Sequence, residues 1–560
     1  MNPNLPAEDE RTPLLQAEIH ASSALHNDIL GTRTSALDGV ALNRSEARHG
    51  ELYDNVPKAK RQLGLFSATF LIFNRVIGTG IYATPSHILR ASGSAGVALT
   101  MWLIGAAIAA CGTAVYIELG TGLPRSGGEK NYLEFIYRRP RFMITCVFTA
   151  YSLITGSATA NSTVFSEYLL HGLSIPSTYW TTRLVAFICL TFICFIHGFT
   201  VKWGLRVQNT LGLFKLAVLV LISISGLLCL AGIGDIHVRN EYEQPDNLRW
   251  SKLWEGSGTG ANAFVNGMYN VIWSFVGYSN ANYALSEVRD PVRTIKWAAT
   301  LAMFAVATVY MLINIAYFAV VSKTDILESK RVIAALYFRN LFGPATEQAL
   351  SIFIALSILG NLLSGQFAQG RVIQELGREG ILPFSSFFAS NKPFNAPLTG
   401  LSTQYVFSCA LLLSVPPGDI YLFLISLSSF SLTLMNALVA VGLLLLHSSP
   451  YTVWGWNPPF RASKILVGFY FLSNLFLVVV PFFPPLPGSK TYEKLPYWAH
   501  PVAGFGVSLL GALYWYFWSI WHPNRNGYRL EREWILQDDG VSRYAFKRVP
   551  ETSNVQRQNS

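Results

Sequence analysis

Long apolar stretches without a single charge recur along this chain, and they constrain its fold more than any other feature. Gly93 to Ile117, Phe142 to Phe165, Trp297 to Val321 and Tyr421 to Leu446 are examples. Each exceeds the roughly 20 apolar residues that a helix needs to cross a bilayer. Only 13% of the 560 residues are charged and 51% are hydrophobic, whereas soluble chains carry roughly a quarter charged residues. By this criterion about twelve transmembrane helices are expected. They span 64–90, 95–122, 142–170, 183–200, 209–232, 263–287, 297–322, 346–370, 396–415, 420–447, 464–486 and 499–521. The chain reads as an all-α polytopic membrane protein. An outer-membrane barrel would need short alternating segments instead.

Loop charge sets the expected orientation. Arg125, Lys130, Arg138, Arg139 and Arg141 follow the second span, whereas His171 to Thr182 after the third carries no Lys or Arg. Arg293 and Lys296 follow the sixth span, and Arg371 and Arg378 follow the eighth. The positive-inside rule places these loops and both termini in the cytosol. The net charge of +10 fits basic loops beside anionic lipid rather than nucleic-acid binding. Residues 1–60 are polar and read as a disordered cytosolic tail, 61–522 as the transmembrane domain, and 523–560 as a cytosolic C-terminal tail. That second tail is also expected to be disordered, with Trp534–Leu536 as an apolar cluster able to dock. The six cysteines fall in apolar stretches, without metal-ligand spacing, and read as space-filling thiols. No metal or cofactor is expected.

Two spans are interrupted. The first breaks at Val76-Ile77-Gly78-Thr79-Gly80-Ile81, where two glycines flank a threonine at mid-membrane. Lipid does not tolerate unpaired backbone groups unless protein or a cavity covers them. Two readings stand for this span alone: bare N–H groups seat a carboxylate, or small residues mark a close helix contact. The sixth span carries a comparable break at Trp273-Ser274-Phe275-Val276-Gly277-Tyr278, followed by Ser279-Asn280-Ala281-Asn282. If the first ten spans form two five-helix units of opposite orientation, the breaks occupy matching positions. Such a pair is the best pointer in a sequence to a transporter site.

Arg75 through Pro85 (RVIGTGIYATP) resembles the first-helix signature of the amino acid–polyamine–organocation superfamily. Tyr116 through Glu129 (YIELGTGLPRSGGE) is similar to that family's second-helix exit, and Ser274 through Pro291 to its sixth helix. Arg371 through Pro383 resembles the loop after its eighth. The match covers about residues 61–521. It is strongest to the L-type amino acid transporter branch and, within it, to fungal methionine permeases. The resemblance implies a LeuT-like inverted repeat of five plus five helices, with two appended. It also implies sodium-independent transport of a neutral amino acid, methionine favoured, with protons as the driving ion.

By the same resemblance, N–H groups at Gly78, Thr79 and Gly80 would meet the substrate carboxylate, with Ile77 and Ser274 beside the breaks. Carbonyls of Val76, Trp273 and Val276 would meet the ammonium. Half-helix ends then act as fixed partial charges, so that no ionised side chain is required. Trp273 corresponds to the family's aromatic gate; interfacial anchoring is the plain alternative. Lys215 matches a lysine that occupies a sodium site in sodium-independent relatives, and is the expected coupling residue. Its plain alternative is snorkelling to the headgroups. Arg75 departs from the branch pattern. Glu118 and Glu287 are its candidate partners, in an inner gate or in a structural salt bridge.

Asn161, Asn361 and Gln366 are adequately explained by interhelical hydrogen bonds. No histidine sits at mid-span, which gives a histidine proton relay little support. No cysteine lies between the third and fourth spans, so a disulfide-linked heavy chain is not expected. The plasma membrane is the expected location. Glu10-Arg-Thr-Pro-Leu-Leu15 fits an acidic dileucine sorting pattern that would route the protein to a vacuolar or endosomal membrane. An amino acid exchanger and a non-transporting amino acid receptor are the rival functions. An enzyme is disfavoured, since no nucleophile–base set lies at membrane depth.

Overall fold

The computed structural model describes residues 64–550 apart from 126, 234–235, 259, 330, 391–393, 395, 415–418, 449–455, 486–491 and 537–541. The dileucine pattern at Glu10–Leu15 and the N-terminal tail lie outside the described residues.

Helices dominate. In chain order they are α1 (Leu65–Val76), α2 (Gly80–Ala83), α3 (Pro85–Ser92), α4 (Ala95–Gly122), α5 (Glu129–Ile136), α6 (Met143–Thr155), α7 (Thr159–Gly172), α8 (Tyr179–Phe199), α9 (Val201–Ala231) and α10 (Trp250–Leu253). There follow α11 (Ala261–Phe275), a 3-10 helix (Asn280–Glu287), α12 (Pro291–Val320), α13 (Lys323–Glu328), α14 (Ile333–Phe342), α15 (Pro344–Arg378), α16 (Ser385–Ala389), α17 (Leu398–Ser414), α18 (Ile420–Leu446), α19 (Lys464–Val479), α20 (Ala499–Trp515) and α21 (His522–Asn526). Among the described residues ten helical stretches are long and apolar enough to cross a membrane, two of them running through the interruptions after α1 and α6. The interrupted sixth span and the 17-residue α17 fall below that length.

Most spans lie where hydropathy places them, and the differences have local causes. Pro291 opens α12 six residues before the apolar run, because proline at a first helical position gives up only an N–H that has no helical partner. The α9 helix begins at Val201 rather than near 209; its polar first turns leave the apolar run without breaking the helix. The segment 323–345, expected as a loop, carries α13 and α14. Ser322 caps α13 by accepting the Asp325 N–H. The third span is not continuous: α6 stops at Thr155 and α7 starts at Thr159.

The described part of the C-terminal tail, expected to be disordered, is folded. Tyr528–Leu536 and Ser542–Pro550 pair as an antiparallel hairpin, β1–β2. Trp534 is only 4% exposed and packs edge-on against Tyr544 across the hairpin. The Phe546 ring fits between Phe142 and Trp518. Its backbone N–H donates to the Glu379 carbonyl at 2.9 Å. Arg532 pairs with Glu134 on α5 and reaches Glu379 at 4.0 Å, and Glu379 in turn takes Lys130. Cross-strand aromatic pairs and charge complementarity thus hold an element that residue-by-residue hydropathy leaves unassigned. The side of the bundle that the hairpin covers is termed the tail face here, and the opposite side the far face.

Buried carboxylates fasten the helix ends. On the tail face Glu118, fully buried, takes hydrogen bonds from His447 (2.7 Å), Trp456 Nε1 (3.1 Å) and the Ala462 N–H (2.7 Å). On the far face Asp419 accepts three backbone N–H groups, those of Glu493 (2.8 Å), Lys494 (2.8 Å) and Leu495 (3.1 Å). Asp419 thereby ties the start of α18 to the segment before α20. Asp419→Ala strands these donors in a buried site, which costs about 1–3 kcal/mol. A lower thermal unfolding midpoint in detergent, followed by size-exclusion chromatography of heated samples, is the expected result.

Candidate functional site

Two chain breaks face each other at the centre of the bundle. After Val76 the backbone leaves the helix, with Ile77 in extended conformation (φ −75°, ψ 99°). Helical geometry resumes at Gly80 and continues through α2 and α3. Ile77 N–H still reaches the Phe73 carbonyl at 3.1 Å, but among the described residues no backbone acceptor meets the N–H of Gly78, Thr79 or Gly80. In the sixth span α11 ends at Phe275, Val276 is extended, and Gly277 has φ +125°. A side chain is strained there, so glycine is required.

Close approach joins the breaks. A Cβ on Gly80 would stand 2.7 Å from Ser274 Cα, and one on Gly277 would stand 3.0 Å from Arg75 Cγ and 3.3 Å from Val76 N. Tyr310 of α12 stitches them together: its hydroxyl lies 3.1 Å from the Val76 carbonyl and 2.8 Å from the Ser274 carbonyl. Nothing in the local sequence marks Tyr310; only the packing of α12 against α1 brings it there.

Between the breaks lies a cavity of about 200 Å³, below the ~300–1,000 Å³ of drug-sized pockets and suited to a single small molecule. Arg75, Val76, Gly78, Thr79, Gly80, Trp273 and Val276 all line it. Ile77 and Ser274 stand behind the lining. Ile77 is fully buried, and the Ser274 hydroxyl donates to the Asn270 carbonyl at 2.8 Å and meets Thr84 Oγ1 at 3.3 Å. The Trp273 carbonyl already accepts the Val276 N–H at 3.2 Å.

Lys215 of α9 does not snorkel. Its ammonium is buried, with the residue 1% exposed, and reaches the Ile77 carbonyl (2.6 Å), Asn74 Oδ1 (3.1 Å) and the Asn74 carbonyl (3.3 Å). A cation is thus fixed against the freed carbonyls of the first break. Arg75 does not pair with Glu118, whose oxygens are taken by His447, Trp456 and Ala462; the Glu287 side chain lies outside the described residues. Among the described residues no hydrogen bond or ion pair engages the Arg75 guanidinium, which faces the cavity beside Tyr283 and Gly365.

The third and eighth spans supply polar residues that sequence reasoning assigned to packing alone. Thr79 Oγ1 donates to Asn161 Oδ1 at 2.6 Å. Asn361 Nδ2 donates to the Arg75 carbonyl at 3.2 Å and fills the space that a Gly78 Cβ would need. Both asparagines line the cavity, as do Gly156, Ser157 and Ala158 at the third-span interruption. Gln366 donates to the Gly156 carbonyl at 3.3 Å, and Gln369 to the Ser152 carbonyl at 2.6 Å. The run Gly156-Ser-Ala-Thr was the available signal for this third break. No group of three or more His, Cys, Asp or Glu residues able to hold a metal occurs among the described residues.

A family model described as amino acid permease matches residues 63–507, which spans both breaks and the cavity. This chain belongs to the amino acid permease family. It is 42% identical to the high-affinity methionine permease of Saccharomyces cerevisiae over 532 residues, 94% of this chain and 91% of that relative. It is 30% identical to the low-affinity methionine permease of the same yeast, over 80% of this chain and 81% of the relative. Identity to the human b(0,+)-type amino acid transporter 1 is 28%, over 78% and 85%. The permease is therefore a polytopic membrane protein of a transporter family and not an enzyme, as the sequence reading expected.

Gly277→Ala places a side chain at φ +125° against Arg75, a strain of about 1–3 kcal/mol. Substrate binding is expected to fall by roughly tenfold or more, about 1.4 kcal/mol per decade, while surface expression of a tagged chain persists. Equilibrium binding to purified variant and parent checks this.

Proposed function

We propose that the permease carries a neutral amino acid, methionine first among candidates, by alternating access in a LeuT-like inverted repeat. One observation carries the reading: two glycine-containing breaks meet across an amino-acid-sized cavity, with the N–H groups of Gly78, Thr79 and Gly80 free of backbone acceptors on one side. A zwitterion leaving water needs a partner for each charge. Its carboxylate takes the N–H groups of the first break. Its ammonium takes the carbonyls of Val76, Trp273 and Val276. The Val76 carbonyl keeps a second lone pair beyond the one engaged by Tyr310.

Methionine is supported by the names of the two yeast relatives and by aromatic lining. Trp273, Phe148 and Tyr151 border the cavity, and sulfur–aromatic contacts contribute about 0.3–1.5 kcal/mol. Leucine would be admitted less well rather than rejected. Trp273, immediately on the far-face side of the break, acts as the outer gate over bound substrate. Arg75, immediately on the tail-face side, acts as the inner one. Lys215 holds a positive charge where sodium would otherwise neutralise freed carbonyls, so transport runs without sodium. Protons supply the driving force. The tail face is cytosolic by the charge of its loops, the membrane is the plasma membrane, and no disulfide-linked heavy chain takes part.

Proteoliposomes containing the purified chain test this reading. Labelled methionine is expected to accumulate under an inwardly directed proton gradient, to collapse with a protonophore, and to proceed equally in sodium and choline. Uptake only into vesicles preloaded with amino acid would mean an exchanger, and saturable binding without flux a receptor. Competition by the common amino acids ranks selectivity. Arg75→Gln is expected to raise labelling of a cysteine placed at Gln369 from the tail face and to slow uptake. Normal uptake with unchanged labelling refutes the inner-gate role.

A further inference from the structure

Glu129 opens α5, outside the membrane spans, yet its side chain lines the cavity and the residue is 3% exposed. Its neighbour Lys130 turns away to Glu134 and Glu379. Among the described residues the donors to the Glu129 carboxylate are uncharged: Ser279 donates to Oε1 at 2.9 Å, Tyr283 donates to Oε2, and the Tyr116 hydroxyl and the Glu129 backbone N–H add to them. Ser279 and Tyr283 sit on the tail-face side of the sixth-span break. The carboxylate thus ties the tail half of a broken helix to the loop helix beneath it. Among the described residues no ion pair engages this buried carboxylate, which leaves it poised to take a proton.

Resting on the symport reading above, we propose that Glu129 is the proton-binding group of the transport cycle and the tether that proton binding releases. Ionised, it accepts charge-assisted hydrogen bonds from Ser279 and Tyr283, which are stronger than neutral ones, and holds the Asn280–Glu287 helix against α5. The cavity is then closed toward the tail face and available to the far face. One proton, taken from cavity water together with the substrate, neutralises the carboxylate. The tether weakens, the tail half of the sixth span moves, and substrate and proton leave together. Loss of the proton restores the negative charge and resets the tether.

The surroundings support this assignment. Tyr116 of α4, Tyr132 of α5, Tyr278 and Tyr283 of the sixth span and Tyr470 of α19 face the carboxylate. These are neutral phenols at physiological pH. Arg75 of α1 enters through Tyr283 rather than by a direct ion pair. Burial raises the Glu129 pKa, while the Tyr283 and Ser279 hydroxyls oppose the rise. Lys215 is committed instead to three acceptors at the first break and does not line the cavity.

The test uses the full chain in proteoliposomes. Glu129→Gln is expected to lose proton-driven accumulation of methionine by at least tenfold while retaining measurable counterflow of labelled against unlabelled methionine. Accumulation that still follows the proton gradient in Glu129→Gln overturns the proposal. A parent protein insensitive to the gradient overturns instead the symport reading on which it rests. Should Glu129→Gln lose both modes, Tyr283→Phe and Ser279→Ala decide. Each removes a donor that favours the ionised form, so the pH of half-maximal uptake is expected to move upward, by about one unit. A midpoint that stays in place or moves downward overturns the proposal.

Discussion

A backbone carbonyl or N–H left unpaired at membrane depth costs several kcal/mol, and this structure is arranged around two places where that happens. The interrupted first and sixth spans expose peptide groups that helix geometry would otherwise consume. Side chains from three other spans absorb part of the deficit. Lys215 serves Ile77 and Asn74, Tyr310 serves Val76 and Ser274, and Asn361 serves Arg75. What remains unserved is the N–H series at Gly78 to Gly80, and that remainder is where a carboxylate fits. Site and scaffold are thus one arrangement: the proposed recognition surface consists of backbone groups that helix geometry leaves without partners among the described residues.

The same logic explains the division of charge. Charged side chains occupy distinct settings within the bundle. Lys215 is fully engaged behind the first break. Glu118 and Asp419 are saturated by hydrogen-bond donors and fasten helix ends. On the far face Arg331 forms a two-pronged pair with Glu167 and lies over the Tyr421 ring. Among the described residues Arg75 and Glu129 are the charged side chains that line the cavity. Groups held by full partner sets maintain the bundle, whereas these two carry the proposed gating and proton-binding roles.

The tail face adds a third layer. A hairpin from the C-terminal tail spans α5 and the turn after α15 through Arg532, Glu134, Glu379 and Phe546. The α5 helix therefore has the hairpin on one side and the tail half of the sixth span, through Glu129, on the other. The cavity and the tail hairpin thus share α5 as a common contact.

Much was legible in the order of residues. The apolar runs set the approximate bounds of most spans, ten of which are long and apolar enough to cross a membrane among the described residues, since crossing lipid demands length and an absence of charge. The glycines at 78, 80 and 277 marked both breaks, because only a residue without Cβ permits such contact or such a φ. Other features were beyond that reach. Tyr310, Gln369 and the hairpin acquire their roles from neighbours remote in the chain. Glu118 was expected beside Arg75 and instead meets His447, because the ends of α4 and α18 converge on the tail face. Sequence by itself determined which segments enter the membrane and where their backbone must fail, as these depend on local hydropathy and sterics. Tertiary structure alone decided which side chains answer each failure, as hydrogen bonds and burial are settled by which helices touch.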